Sequence, residues 1–230
     1  MHIAQHVAGR RVIIFDFDGT LADTKAGIIR TATTVLTAWG VPSKELVRVG
    51  ELIGPPFPQA YEQVFGLSHA DAVEVTERYR AIYTNLGVEG WPVFPGIPEL
   101  LEELRAAGRI LVVASSKRDN LVRRGLGDNG IEGLFDSIRA KGTDDETTKT
   151  DAIRAALAEF HATADEAVMV GDRHHDVEAA AECGVPCVGV LYGDTADEEE
   201  LVDAGAVAIA HTVDKLRATL LGIAGSAEEE

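Results

Sequence analysis

Two carboxylates one residue apart, Asp16 and Asp18, close the short apolar run Val12-Ile13-Ile14-Phe15, and Gly19-Thr20 follow at once. The run is too short for a helix and has the composition of a strand covered on both faces. Alternation along a strand would put both acids on one side, but Gly19 permits a sharp turn that keeps one carboxylate at the strand end and swings the other outward. Unpaired buried carboxylates are unfavourable, and a divalent cation relieves them. Hard oxygen ligands suit magnesium (Mg2+), which usually takes one or two carboxylates together with water and substrate phosphate.

Polar residues recur at the ends of later apolar runs. Ser115-Ser116-Lys117 follow Ile110-Leu111-Val112-Val113-Ala114, and Gly171-Asp172-Arg173-His174-His175-Asp176 follow Ala167-Val168-Met169-Val170. Lys149 stands at the start of a helix expected over 150–160, after a loop at 142–146. In a parallel sheet these carboxyl ends open on one edge. Ser115 and the backbone N–H groups of the helix after it can hold phosphate oxygens, with Lys149 adding a point charge. Asp172 can join Asp16 on magnesium. Each residue alone has a plainer role: Ser115 a helix N-cap, Lys149 a surface lysine, Asp172 and Asp176 first-turn acids facing the helix dipole. It is their joint order that points to a site. His174 and His175 are sequence neighbours that do not readily share a metal, and they read as surface residues.

The elements that must position these residues follow from periodicity. Ile28, Ile29, Ala32, Val35, Leu36 and Trp39 form one helical face, ended by Gly40-Val41-Pro42. After the turn-rich stretch Gly54-Pro55-Pro56-Phe57-Pro58, a second face carries Val75, Tyr79, Ile82, Tyr83 and Leu86. With no strand signal there, 23–91 reads as an inserted all-helical domain. The remainder, 1–22 and 92–230, alternates strand with helix, including a weak strand near 135–138, a helix from Val177 to Cys183 and a last strand at 206–209. This alternation gives an α/β class: a doubly wound, Rossmann-like parallel sheet with helices on both faces. Gly125-Leu126-Gly127-Asp128-Asn129-Gly130 has dinucleotide spacing but follows a helix, so it reads as a helix stop and turn. No P-loop sequence occurs.

A chain of 230 residues can bury a sizeable core. Its 38 acids against 21 Lys and Arg leave a net charge of -17, which argues against nucleic acid and anionic membranes as partners. The same charge requires a metal and local lysines before an anionic substrate can approach. The acidic runs at 197–200 and 228–230 read as solvated surface and a frayed tail. Cys183 and Cys187 lack the companions of a zinc site and suit a reducing compartment. Residues 1–11 have no signal-peptide core, and no apolar run is long enough to span a membrane, so the cytoplasm is the expected location.

Taken together, Asp16-Phe17-Asp18-Gly19-Thr20, Val112-Val113-Ala114-Ser115, Lys149 and Gly171-Asp172-x3-Asp176 resemble the four motifs of the haloacid dehalogenase (HAD) superfamily, in order and across nearly the whole chain. Asp18-Gly19-Thr20-Leu21-Ala22-Asp23, Ile53-Gly54-Pro55-Pro56, Phe94-Pro95-Gly96 and Val190-Leu191-Tyr192-Gly193 resemble its phosphoglycolate phosphatase group, whose helical C1 cap is inserted where the helical stretch falls here. Gly193-Asp194-Thr195 departs from the Gly-Tyr-Gly common among those relatives.

The resemblance implies a magnesium-dependent phosphatase acting on a small phosphorylated metabolite. Asp16 is then the nucleophile that becomes an aspartyl-phosphate, and Asp18 the acid that protonates the leaving group and later activates water. Asp16, the Asp18 carbonyl and Asp172 hold the metal, with Asp176 supporting it directly or through water. Gly19, Ser115, Ser116 and Lys149 bind the phosphoryl group, while Thr20, also counted among the phosphate-binding residues, fixes the Asp18 loop. Lys25, Arg48 and Lys117 are candidate leaving-group contacts. Phosphoglycolate, a 5′-nucleotide, pyrophosphate and a sugar phosphate remain open as substrates. Alternatives are a phosphotransferase such as a sugar-phosphate mutase, which keeps both acids, and a non-enzymatic phospho-accepting or binding protein.

Overall fold

Val12–Phe15 forms β1, the strand next to the middle of a six-stranded parallel sheet, and all four of its side chains are buried. The computed structural model describes residues 7–53, 55, 57–142 and 147–223. In chain order the elements are β1, α1 (Lys25–Trp39), α2 (Gln59–Phe65), α3 (His69–Tyr83), α4 (Ile97–Ala106), β2 (Ile110–Arg118), α5 (Asp119–Asp128) and β3 (Ser137–Lys141). There follow α6 (Lys149–Glu159), β4 (Ala167–Gly171), α7 (His174–Glu182), β5 (Cys187–Val190), α8 (Glu198–Asp203), β6 (Ala208–Ala210) and α9 (Val213–Leu221), with short 3-10 turns between some of them.

The strand order is β3-β2-β1-β4-β5-β6, every neighbouring pair parallel. The chain steps outward from β1 to β3, returns to lay β4 against β1, then steps outward the other way. That reversal is the doubly wound arrangement, and it opens a crevice at the carboxyl ends of β1 and β4. Register sets the levels: Phe15 lies opposite both Val113 and Val170. Asp16, Gly171 and the end of β2 therefore emerge together. Ile14, Val112, Met169, Ile153, Val177 and Ala180 pack into one buried cluster beneath them.

The chain divides into two compact units, residues 1–23 with 93–230 and residues 24–92, one residue later at each junction than periodicity placed it. Within the first unit Ala22 pairs with Val93 and Phe94 N–H donates to Leu21 O (3.1 Å), so the chain leaves and re-enters that unit at one point. The second unit is helical. Its core holds Ile28, Ala32, Val35 and Leu36 of α1 with Val75, Tyr79 and Tyr83 of α3. Tyr79 stacks on Tyr83, and Trp91 meets Tyr83 edge-on, with centroids 5.0 and 5.1 Å apart. Ile82, expected on this face, is 39% exposed, because Ala72, Val75, Thr76, Tyr79 and Tyr83 form a narrower stripe. Gly27 allows a close approach: a Cβ there would lie 2.5 Å from Gly90 O.

Some boundaries differ from those expected. β2 runs on through Ser115-Ser116-Lys117 to Arg118, with a register break against β3 between Ser115 and Arg118. β3 and β6 begin two residues later than expected, since the pairing register with the neighbouring strand decides where a ladder starts and composition does not. α7 begins at His174, three residues earlier than the apolar periodicity indicated. Gly125 and Gly127 lie inside α5; only Gly130, with φ +71°, takes a turn conformation. Of the expected features, residues 1–6, Gly54, Pro56, 143–146 and the acidic tail 228–230 lie outside the described residues.

Gly125 is in α5 because of packing. A Cβ at that position would come 2.4 Å from Phe17 Cζ, and Phe17 is fully buried. Gly125→Ala improves helix propensity yet overpacks the contact, so it is expected to destabilise the protein by about 1–3 kcal/mol. Urea unfolding at constant m-value measures this; an unchanged or raised midpoint contradicts it.

Candidate active site

Asp16 is the first residue past β1, and its N–H donates to Val170 O of β4 (3.0 Å), which extends the ladder by one bond. The next residues then turn on themselves. Leu21 and Ala22 N–H both donate to Phe17 O (3.0 Å each), and Gly19 N–H donates to Ala22 O (2.9 Å). The Gly19 N–H, expected to face a phosphate, is thus engaged by the loop itself. Gly19 has φ +72°, and a Cβ there would lie 2.1 Å from Asp172 Oδ2, so backbone conformation and space both require glycine.

Asp16, Asp172 and Asp176 are buried, and their carboxylate oxygens lie within 4.8 Å of one another. Asp172 follows β4 directly and precedes α7, so it is not on a shared helical face with Asp176. Asp176 is the third residue of α7; its Oδ2 accepts from the N–H groups of Asp172 and Arg173 (3.1 Å each), which caps the helix and fixes the carboxylate. Gly171 leaves room for it: a Cβ at 171 would lie 2.3 Å from the Asp176 side chain. Thr20 is fully buried, and its hydroxyl donates to Asp172 Oδ1 (3.3 Å) rather than standing free for a phosphate oxygen.

Lys149, the first residue of α6, reaches across to this cluster. Its Nζ donates to Asp176 Oδ1 in a short hydrogen bond and lies 3.1 Å from Asp16 Oδ1. Burial opposes the lysine charge, but Asp16 and Asp176 outweigh it and raise its pKa above the ordinary lysine value. Burial raises Asp16 to about 6; Lys149 opposes this, and the charges of Asp176 and Asp18 add to it. Asp172 is pushed well up by burial, then by Asp176 and Asp16. Three buried carboxylates against one ammonium leave uncompensated negative charge, since Asp16 Oδ1 shares the Lys149 ammonium with Asp176 Oδ1. A hard, all-oxygen donor set carrying more carboxylate charge than one ammonium offsets fits a divalent cation.

Asp18 stands outside the cluster. Its Oδ1 is 2.7 Å from Lys117 Nζ, so Lys117, expected at the leaving group, is paired with the second acid. Ser115 is buried in β2 and its Oγ accepts from Lys117 N–H (3.3 Å), while Ser116 is exposed. The helix expected directly after Ser115 starts only at Asp119, so Ser115 is not its cap. Lys25 and Arg48 belong to the helical unit, where Arg48 pairs with Glu51 at 3.0 Å.

The loop after β5, whose Tyr192-Gly193 enters the resemblance but carries no expected role in the site, supplies further contacts. Tyr192 hydroxyl donates to Thr20 O (2.8 Å), and a Cβ at Gly193 would lie 2.6 Å from Gly19 O. The loop that departs from the expected pattern at 193–195 therefore packs on the Gly19 turn; Gly193 was the available signal. His174 is half-buried, bonded through Nδ1 to Glu200 Oε1 (2.7 Å), and is not a plain surface residue. His175 is exposed.

A family model described as haloacid dehalogenase-like hydrolase matches residues 13–190, more than three quarters of the chain. The chain belongs to that family. This haloacid dehalogenase-like hydrolase is 37% identical over 188 residues to the 5'-nucleotidase of Pseudomonas aeruginosa, covering 81% of this chain and 85% of that one. It is also 37% identical over 212 residues to the tyrosine-protein kinase PtkA of Mycobacterium tuberculosis, covering 91% and 72%. The solved structure of a predicted phosphatase from Clostridium acetobutylicum superposes with a TM-score of 0.83 at 31% identity, covering 93% of this chain and 99% of that one. Further relatives, at 29–30% identity, carry the name phosphoglycolate phosphatase.

Metal-free stability reads the charge cluster. The folded state binds the Asp16 proton with a pKa of about 6 against a reference of 3.8, so between those values it holds more protons than the unfolded state. Stability from this group is complete below 3.8 and is lost as pH rises through about 6. In EDTA, Asp16→Asn should therefore gain on the wild type as pH goes from about 4 to 7, by on the order of 1–3 kcal/mol. Thermal unfolding of both proteins across that range measures it; a stability of Asp16→Asn that falls relative to the wild type toward neutral pH contradicts it.

Proposed function

We propose that this hydrolase is a magnesium-dependent phosphatase that releases phosphate from small phosphate monoesters through a phosphoryl group carried on Asp16. The observation that carries the reading is the division of the acids. Asp16, Asp172 and Asp176 converge beside Lys149, whereas Asp18, two residues from Asp16, is held apart on Lys117. One carboxylate is thereby available as nucleophile and one as proton carrier.

Asp16 Oδ attacks phosphorus as the bond to the leaving oxygen breaks, and Asp18 gives that oxygen its proton, so the alcohol departs neutral. Asp18, now a carboxylate, takes a proton from water as the water oxygen attacks the aspartyl-phosphate. The Asp16–phosphorus bond breaks, and the starting protonation is restored. Lys149 moves from carboxylates alone to sharing its charge with the phosphoryl oxygens, and Ser115 adds a hydroxyl beside them. Bound magnesium, held by Asp16, Asp172, Asp176 and the Asp18 carbonyl, would neutralise charge developing on those oxygens. Thr20 and the Asp176 cap hold the carboxylates in place.

Residues 24–92, a separate helical unit inserted at one exit and re-entry point between Ala22 and Val93, are assigned the role of a cap in this proposal. A 5′-nucleotide and phosphoglycolate lead as substrates, the first named for a relative at 37% identity and the second for relatives at 29–30%. A cytoplasmic location belongs to the same reading. Both cysteines are free, and among the described residues no helix is long and apolar enough to cross a membrane. A second reading, transfer of the phosphoryl group to a hydroxyl other than water, is favoured by the relative named tyrosine-protein kinase, equally identical over more of the chain.

The test is phosphate release from a panel of phosphorylated metabolites, with magnesium or EDTA. Release should require magnesium, and Asp16→Asn should slow it by on the order of 10³-fold or more. Release that survives EDTA or Asp16→Asn overturns the mechanism. Label passing to a tyrosine-containing peptide or sugar hydroxyl without free phosphate would select the second reading.

A further inference from the structure

Lys117 is held more tightly than a substrate-contacting lysine needs to be. Its side chain is 9% exposed, and its Nζ lies 2.7 Å from Asp18 Oδ1 and 5.6 Å from the centroid of the Phe17 ring. Phe17 is itself fully buried and clamped against Gly125 of α5. The backbone explains how a strand residue reaches this position. The register break between Ser115 and Arg118 releases 116 and 117 from the ladder with β3, and Lys117 N–H is caught by Ser115 Oγ. An irregularity of this kind beside an active site re-aims a side chain.

Asp18 is the complementary half. Its backbone is locked by the bonds that close the 17–22 turn, which leaves the carboxylate only its own two torsions. Turned inward, it would add a fourth carboxylate to a cluster that already sets three against Lys149. The two lysines therefore take three of the four acids, Lys149 pairing with Asp16 and Asp176 and Lys117 with Asp18, while Asp172 accepts from the Thr20 hydroxyl.

We propose that Lys117 is a positioning residue for the proton carrier: its hydrogen bond to Asp18 Oδ1 holds the carboxyl outward, whether or not Oδ2 carries the proton, in the orientation from which it serves the leaving oxygen and the attacking water. The proposal rests on the reading of Asp18 as acid and base and assigns Lys117 to Asp18, not to the substrate. The proton steps are those given above; Lys117 keeps its own proton throughout.

The test compares an ester that needs a proton donor with one that does not. Lys117→Met keeps an unbranched stem over Phe17 and removes the charge. Its kcat/KM for glycerol phosphate, an alkyl ester, should fall about 30–100-fold, the scale of a misplaced catalytic group. For para-nitrophenyl phosphate, whose leaving group departs unprotonated, the fall should be no more than about 5-fold. Lys117→Arg should restore most of the difference, and circular dichroism should show both variants folded. The double variant Lys117→Met with Asp18→Asn should be as slow as Asp18→Asn alone, since a residue acting through Asp18 adds nothing once that acid is gone. Equal losses on the two esters, a change confined to KM, or losses that multiply in the double variant overturn the assignment and make Lys117 a substrate contact. Full alkyl activity in Asp18→Asn alone would instead remove the acid–base reading on which it rests.

Discussion

Three carboxylates packed into a buried crevice repel one another and lack water, and most of what surrounds them can be understood as a response. Asp16, Asp172 and Asp176 come from two adjacent strand ends and the helix that follows one of them, so they cannot avoid each other. Lys149 supplies one ammonium from a third direction, which lowers the repulsion without cancelling it. Burial first, and then the neighbouring carboxylate charges, raise the pKa values of Asp16 and Asp172. Such an arrangement is unfavourable for folding and suited to gathering a cation and then a phosphate, the trade that active sites commonly make.

Holding those charges still takes backbone more than side chains. The Asp176 carboxylate is fixed because it caps α7, and the cap brings it beside Asp172. Glycines at 19 and 171 clear the space that the two carboxylates occupy. Thr20 ties the turn after β1 to Asp172, and Tyr192 ties the same turn to the loop after β5. The strand register delivers these parts to one level, which explains why a doubly wound sheet can present acids from distant stretches of chain within one crevice.

Much of the fold was legible because it rests on local pattern. β-branched runs of four or five residues announced β1, the start of β2 and β4, and Gly40 ends α1 in the left-handed conformation its position implied. The ends of β2, β3 and β6 were not legible, since they depend on which residue of a neighbouring strand is opposite. Ile82 was misplaced for a related reason: periodicity defines a face, but the partner surface decides its width.

The site divides in the same way. Residue type and order alone singled out Asp16, Asp18, Ser115, Lys149, Asp172 and Asp176, because acids and a lysine at successive strand and helix ends have few other uses. Only the tertiary structure decided who faces whom. It turned Thr20 toward Asp172, closed the Gly19 N–H on Ala22 O, and gave Lys117 to Asp18 through a break in register that no local pattern encodes. The reason is physical. Composition and spacing act along the chain, whereas hydrogen-bond partnership in a crowded polar crevice is settled by competition among groups brought together from four parts of it.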